Sequence, residues 1–242
     1  MARLGVIGGS GLYGLDAEAG PAPAGPVDTP WGPTSAPVEV AAVGPGVAFI
    51  ARHGADHSIA PHLVNYRANI HALREAGCDR ILAVSSVGGI GPACVPGALV
   101  VPDQLIDYTW GRESTFQRPG DPVVHFDFTH PYSPGFRDRV TGALTELGVE
   151  FIDGGTYAAV QGPRFETAAE IRRLANDGAT IVGMTGMPEA ILAREAGLEY
   201  AAVCPVGNLA AGISAAELHM GDVISAVGPS MGPVVELIAA IA

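Results

Sequence analysis

The sequence predicts an α/β protein built on a largely parallel sheet covered by helices. Three observations support this: short apolar runs recur along the chain, helical stretches ending at glycine lie between several of them, and small or polar clusters follow the apolar runs. The first run, residues 4–7, reads as a buried strand and leads into Gly9-Ser10-Gly11-Leu12-Tyr13-Gly14. Residues 20–46, rich in Gly, Pro and Ala, predict an irregular loop with a hairpin-like pair of strands. A second strand at 47–51 delivers Arg52 and His53, and a helix at 64–76 stops at Gly77. Strands at 81–84 and 98–101 follow, the former leading into Ser85 and Ser86. Helices at 136–147 and 167–176 are each closed by a glycine, Gly148 and Gly178. A strand at 181–184 carries Met184 and Thr185, a helix at 188–196 opens on Pro188 and ends at Gly197, and a last strand at 200–206 precedes Asn208.

With 242 residues, no internal repeat and no charged linker, the chain is expected to be a single domain over 1–242. The 33 glycines and 20 prolines are dispersed between apolar runs and form no low-complexity block. The N-terminal stretch has one arginine, but five glycines interrupt residues 1–15, so a first strand is expected there and not a signal peptide. No 18-residue uncharged apolar run exists, so a membrane-spanning helix is not expected. Cys78, Cys94 and Cys204 are odd in number and far apart, which fits a reduced, cytoplasmic protein with neither disulfides nor a thiolate zinc site.

Composition also excludes chemistry. The net charge is −12, and all 13 cationic residues are arginine. Without lysine there is no Schiff base, no pyridoxal phosphate attachment and no P-loop of the G-x-x-x-x-G-K-[ST] kind. An acidic chain with no basic run is a poor partner for nucleic acid or an anionic membrane, both of which need a positive footprint. A small molecule is the expected ligand.

In open α/β sheets ligands bind beyond the carboxyl ends of the strands. The clusters around Ser10, Arg52-His53, Ser85-Ser86, Met184-Thr185 and Asn208 could therefore converge on one pocket suited to an anion. Residues 9–14 formally match G-x-G-x-x-G, but Gly20-Pro21-Ala22-Pro23 breaks any helix there, so a phosphate-binding turn or a plain tight turn fits better than a dinucleotide fingerprint. It is not a nucleophile elbow, because Leu12 stands where the second glycine is required. His53, His57 and His62 invite a metal reading, which the permanent cation Arg52 opposes; anion or sugar contact and a structural histidine cluster remain. His125, Asp127 and His130 read as a loop with turn hydrogen bonds. In isolation, Glu166 is a first-turn acid of a helix and Asn208 a turn residue.

Four longer segments carry more. Ala51-Arg52-His53-Gly54, Val64-Asn65-Tyr66-Arg67-Ala68-Asn69-Ile70, Gln161-Gly162-Pro163-Arg164-Phe165-Glu166-Thr167 and Gly183-Met184-Thr185-Gly186-Met187-Pro188-Glu189-Ala190 closely resemble the purine nucleoside phosphorylase and methylthioadenosine phosphorylase family, in the right order and across nearly the whole chain. The resemblance implies a nucleoside phosphorylase fold with a central mixed sheet, a homotrimer, and no metal or organic cofactor, inorganic phosphate being a co-substrate. It implies attack of phosphate on C1′ of a purine nucleoside. Ser10, Arg52, His53, Ser85, Ser86 and Thr185 would then hold phosphate, with Arg52 the one full cation against it. Ser10 stands where many relatives have Thr. Met184 would lie under the ribose and Phe165 against the base.

Base choice follows from the departures. Asn208 stands where adenine-type relatives carry Asp, Glu166 where they carry Ser, and Ala210 lacks their second acid. An amide can donate to O6 and accept from N7–H, and a carboxylate can accept from N1–H, so a 6-oxopurine is expected. Met220, with Ile224 one turn on, occupies the region where inosine and guanosine enzymes use His, which suits an apolar 5′-methylthio group. Asn208, Ser10, Arg52 and His53 are the expected catalytic residues. Methylthioadenosine phosphorolysis and a non-catalytic nucleoside-binding protein are the alternatives.

Overall fold

The computed structural model describes residues 3–9, 12, 25–41, 46–215 and 217–242; Ser10 lies outside the described residues, as does the side chain of Met220. The strands are β1 (Arg3–Gly8), β2 (Asp28–Thr29), β3 (Gly32–Pro33), β4 (Glu39–Val40), β5 (Val47–Ala51), β6 (Cys78–Val84), β7 (Val87–Gly89), β8 (Leu99–Val101), β9 (Gln104–Asp107), β10 (Ile152–Asp153), β11 (Thr156–Ala159), β12 (Ile181–Gly183) and β13 (Glu199–Leu209). The α-helices are α1 (Tyr66–Glu75), α2 (Pro134–Glu146), α3 (Ala168–Asn176), α4 (Gly186–Glu195) and α5 (Met220–Ile241).

The main sheet runs β4-β5-β1-β6-β13-β7-β12-β11-β9, with β8 against β13 and β10 against β8. It is mixed and mostly parallel: β4 pairs antiparallel to β5, β7 antiparallel to β12 and β8 antiparallel to β13, and the other pairs are parallel. The inner strands are buried on both faces, as continuous Val/Ile/Leu/Ala runs require; β5 is buried at every position. The expected hairpin-like pair within 20–46 is the short antiparallel β2-β3 ribbon.

All six expected strands and four expected helices are present, with ends shifted by a few residues. One shift matters: Asn208 lies inside β13, opposite Gly88 of β7, and is not a turn residue after the strand. The strand is longer than its apolar run because Val206, Asn208 and Leu209 find partners in β7.

The pattern did not reveal β4, β7, β9, β10, β11 or α5. The strands are two to four residues long, too short for a periodic signal. Helix α5 contains Pro229 and Pro233 and three glycines, composition that ordinarily ends helices. It is nonetheless long and apolar enough over Gly221–Ile241 to cross a membrane by length and composition. Here its apolar side (Val223, Val227, Val234, Leu237, Ile238 and Ile241) is buried, and Val223 and Val227 reach β13 at Gly207, where a Cβ would sit 2.6 Å from Val223 Cγ1.

Candidate active site

The carboxyl ends of β1, β5, β6 and β12, and Asn208 of β13, open on one cavity of about 360 Å³. Arg52, His53, Ser85, Ser86 and Thr185 line it, as do Phe165, Glu166, Met184 and Asn208. Of the expected site residues described, only Ala210 is elsewhere: it is 1% exposed in a small apolar cluster with Ala158, Ile171 and Val182.

Ser85 and Thr185, both buried, come from the ends of two different strands, and their hydroxyls lie 3.1 Å apart. His53 has its Nδ1 2.8 Å from the Ile59 carbonyl. That bond requires a proton on Nδ1 and leaves Nε2 as the acceptor of the neutral ring. Burial and then the neighbouring Arg52 push the His53 pKa down from 6.5 to about 4. The folded state therefore binds fewer protons than the unfolded one between these values, and stability falls as pH drops through that window. Thermal melting from pH 7 to 4 should show Tm declining below about pH 6.5, with a shallower decline in His53→Gln. An equal slope in both proteins would remove His53 as the source.

Arg52 is 1% exposed. Its Nε and Nη2 make a two-pronged pair with Glu189 at 2.8 and 2.9 Å, while Nη1 donates to Val84 O at 3.0 Å and Nη2 to Ile7 O at 3.2 Å. Burial lowers the pKa of Arg52, but the charge and hydrogen bonds of Glu189 more than offset this, so the group stays fully protonated. Glu189 in turn accepts from the buried Tyr200 hydroxyl at 2.9 Å. The guanidinium is thus not an uncompensated cation aimed at an anion. It ties β5 to the ends of β1 and β6, and Glu189 neutralises its charge. Glu189 stands in the segment 183–190, but the sequence assigns it no role, although it is a lone acid in the apolar stretch of α4.

Arg112 was also missed. Its Nη1 donates to Met184 O at 2.9 Å and its Nη2 to Gln161 O at 2.8 Å, which binds the loop after β12 to the loop after β11. Gly162 has φ of 60°, and a Cβ there would sit 2.5 Å from Met184 Sδ, so only glycine lets these loops meet so closely. Beyond it, Thr167 and Glu170 form a reciprocal capping box on α3, and Arg164 grips both Glu170 oxygens at 2.8 Å.

Glu166 is half-buried, and burial raises its pKa. Asn208 Nδ2 donates to Leu209 O at 2.8 Å, which leaves its second N–H and its carbonyl for a ligand. Val223 and Met231 of α5 add apolar lining, whereas Ile224 is exposed. His57 also lines the cavity, its ring 4.8 Å from that of His53, but His62 is exposed and does not join them. Among the described residues, no group of three or more His, Cys, Asp or Glu could hold a metal ion. Asp127 accepts from Thr129 Oγ1 at 2.6 Å, the loop hydrogen bond expected there.

Fold and cavity together define an α/β protein with hydroxyls and an imidazole beside an acid and an amide. The chain belongs to the phosphorylase superfamily, whose family model matches residues 3–234. It is 52% identical over 242 residues to a probable S-methyl-5′-thioinosine phosphorylase of Xanthomonas campestris pv. campestris, covering 99% of this chain and 96% of that one. It is 45% identical over 247 residues to a 6-oxopurine nucleoside phosphorylase of Pyrococcus furiosus, covering 99% and 92%. Among solved structures, methylthioadenosine phosphorylase from Schistosoma mansoni in complex with adenine superposes with a TM-score of 0.90 at 31% identity, covering 100% of this chain and 91% of that one.

Proposed function

We propose that the protein cleaves the N-glycosidic bond of 6-oxopurine nucleosides with inorganic phosphate, giving the free base and a ribose 1-phosphate, with 5′-methylthioinosine the leading substrate and inosine and guanosine next. The observation that carries this reading is a single cavity lined both by Ser85, Thr185 and His53 and by Glu166 and Asn208.

Phosphate would sit among Ser10, Ser85, Ser86, Thr185 and His53, with Arg52 behind them. A phosphate oxygen forms the bond to C1′ as the C1′–N9 bond breaks. The sugar gains positive charge, which the adjacent anion stabilises, and the electron pair passes to the purine, which takes up at N7, through solvent, the proton that the hydrogen phosphate gives up. The Asn208 carbonyl accepts from N7–H, and its free amide hydrogen meets O6. Glu166 accepts from N1–H. The base lies against Phe165 and the ribose over Met184. Val223 and Met231 favour a methylthio group at the 5′ end, in the region where Met220 stands. The names of the relatives from Xanthomonas and Pyrococcus support a 6-oxopurine. The Schistosoma likeness keeps methylthioadenosine in the test. The homotrimer, the single domain over 1–242, a cytoplasmic location and the absence of cofactor, nucleic-acid and membrane partners belong to the same proposal.

The test is base release from methylthioinosine, inosine, guanosine and methylthioadenosine, each with and without phosphate. Release should require phosphate and be fastest with methylthioinosine. Phosphate-independent release would overturn the phosphorolysis, faster release from methylthioadenosine would overturn the base assignment, and binding without any release would favour a nucleoside-binding protein.

A further inference from the structure

The segment at 160–166 separates two cavities. Pro163 and Phe165 face the active-site cavity, while Val160, Gln161, Gly162 and Arg164 face the other. Glu166 lines both. The second cavity, about 310 Å³, is walled by Tyr108, Trp110, Gln161 and Arg173 as well. Its shape is fixed from several directions. Trp110 N–H donates to Gln161 Oε1 at 3.1 Å, Tyr108 donates to Asp177 at 2.6 Å, and the Arg173 guanidinium lies 5.7 Å from the Tyr108 ring centre. The Arg164–Glu170 pair holds the partition itself, and its hydrogen bonds lower the Glu170 pKa to about 2. Within this otherwise tied-down wall, the Trp110 indole is 72% exposed.

We propose that this second cavity is a subsite for a planar substituent on the 2-amino group of a 6-oxopurine. The inference rests on the base orientation of the proposed function. A group that accepts from N1–H stands beside C2, so the exocyclic 2-amine points past Glu166, the residue that the two cavities share. A substituent on that amine leaves the purine site there and meets Trp110 and Tyr108. The ligand class is therefore guanine and its nucleosides alkylated on the 2-amino nitrogen. Hypoxanthine, with no 2-amine, leaves the subsite unused.

The probes are guanine and N2-benzylguanine, titrated by calorimetry and by tryptophan fluorescence against the wild type, Trp110→Phe and Trp110→Ala. The chain has only two tryptophans, so the signals of Trp31 and Trp110 can be told apart. N2-benzylguanine should bind about 2- to 10-fold more tightly than guanine, the scale of one added aromatic contact. It should also quench fluorescence in the wild type but not in Trp110→Phe, and the benzylguanine-to-guanine affinity ratio should fall to one or below in Trp110→Ala. Weaker binding of N2-benzylguanine than of guanine, or a quench that survives Trp110→Phe, would overturn the subsite and leave the proposed reaction standing. Failure of guanine itself to bind, with no phosphate-dependent release from guanosine, would overturn both.

Discussion

Asn208→Asp should raise the ratio of kcat/KM on methylthioadenosine to that on methylthioinosine by about 10²-fold or more, the scale of one hydrogen-bond group acting on the departing base. The amide has one free N–H, since the other is held by Leu209 O at 2.8 Å. On a 6-oxopurine that N–H meets O6. A carboxylate there would set two acceptors against each other, while on a 6-aminopurine it would accept from both the 6-amine and N7–H. The Asn208 backbone is fixed in β13 opposite Gly88, so the exchange changes the chemistry at an unmoved backbone position and gives up the bond to Leu209 O. The measurement is steady-state kinetics on both substrates at saturating phosphate. An unchanged ratio would mean that Asn208 does not read the base.

Glu189→Ala should cost about 3–5 kcal/mol, because it leaves the buried Arg52 guanidinium without its counter-charge. For a chain of this length that is a fall in Tm of roughly 6–20 °C. Arg52→Ala should destabilise comparably by stranding Glu189, so loss of phosphate binding in that variant alone would not establish contact with phosphate. The double variant Arg52→Met/Glu189→Leu separates the two effects. Apolar replacement of a whole buried pair is often neutral or stabilising, so its Tm should recover most of the loss. If Arg52 also serves the anion site, phosphate KM should stay raised in this stable protein while nucleoside affinity changes little. Recovery of both stability and phosphate KM would assign Arg52 a purely architectural role.

The sequence shows one half of this pair and hides the other. Arg52 stands out because it follows a clear apolar strand beside His53. Glu189 sits in the apolar first turns of α4, 137 positions away, and only the fold brings the two within 2.8 Å. Ser85, Thr185 and Met184 were legible for the same reason as Arg52, since each directly follows an unbroken run of β-forming residues. The contacts of α5 were not legible. Its prolines and glycines argue locally against a helix, yet packing on β13 overrides them, so Val223 and Met231 joined the cavity unannounced while Ile224 turned to solvent. Ala210 carries no acid, and its neighbours in the second apolar cluster take it out of the cavity. The segment 161–166 was recognised as a motif, but sequence could not show that it has a cavity on each side.

Strand β13 also governs how the chain can fold. It is the only strand that pairs with both β6 and β7, so among the described residues it joins the β4-β5-β1-β6 half of the sheet to the β7-β12-β11-β9 half. It begins at residue 199, after every other strand has been synthesised. Until then β6 and β7 present unpaired hydrogen-bonding edges, the kind of surface on which growing chains stick to one another. The last strand made is the one that removes both edges, so a ribosome-bound chain that stalls before residue 199 is the form of this protein most exposed to misassembly.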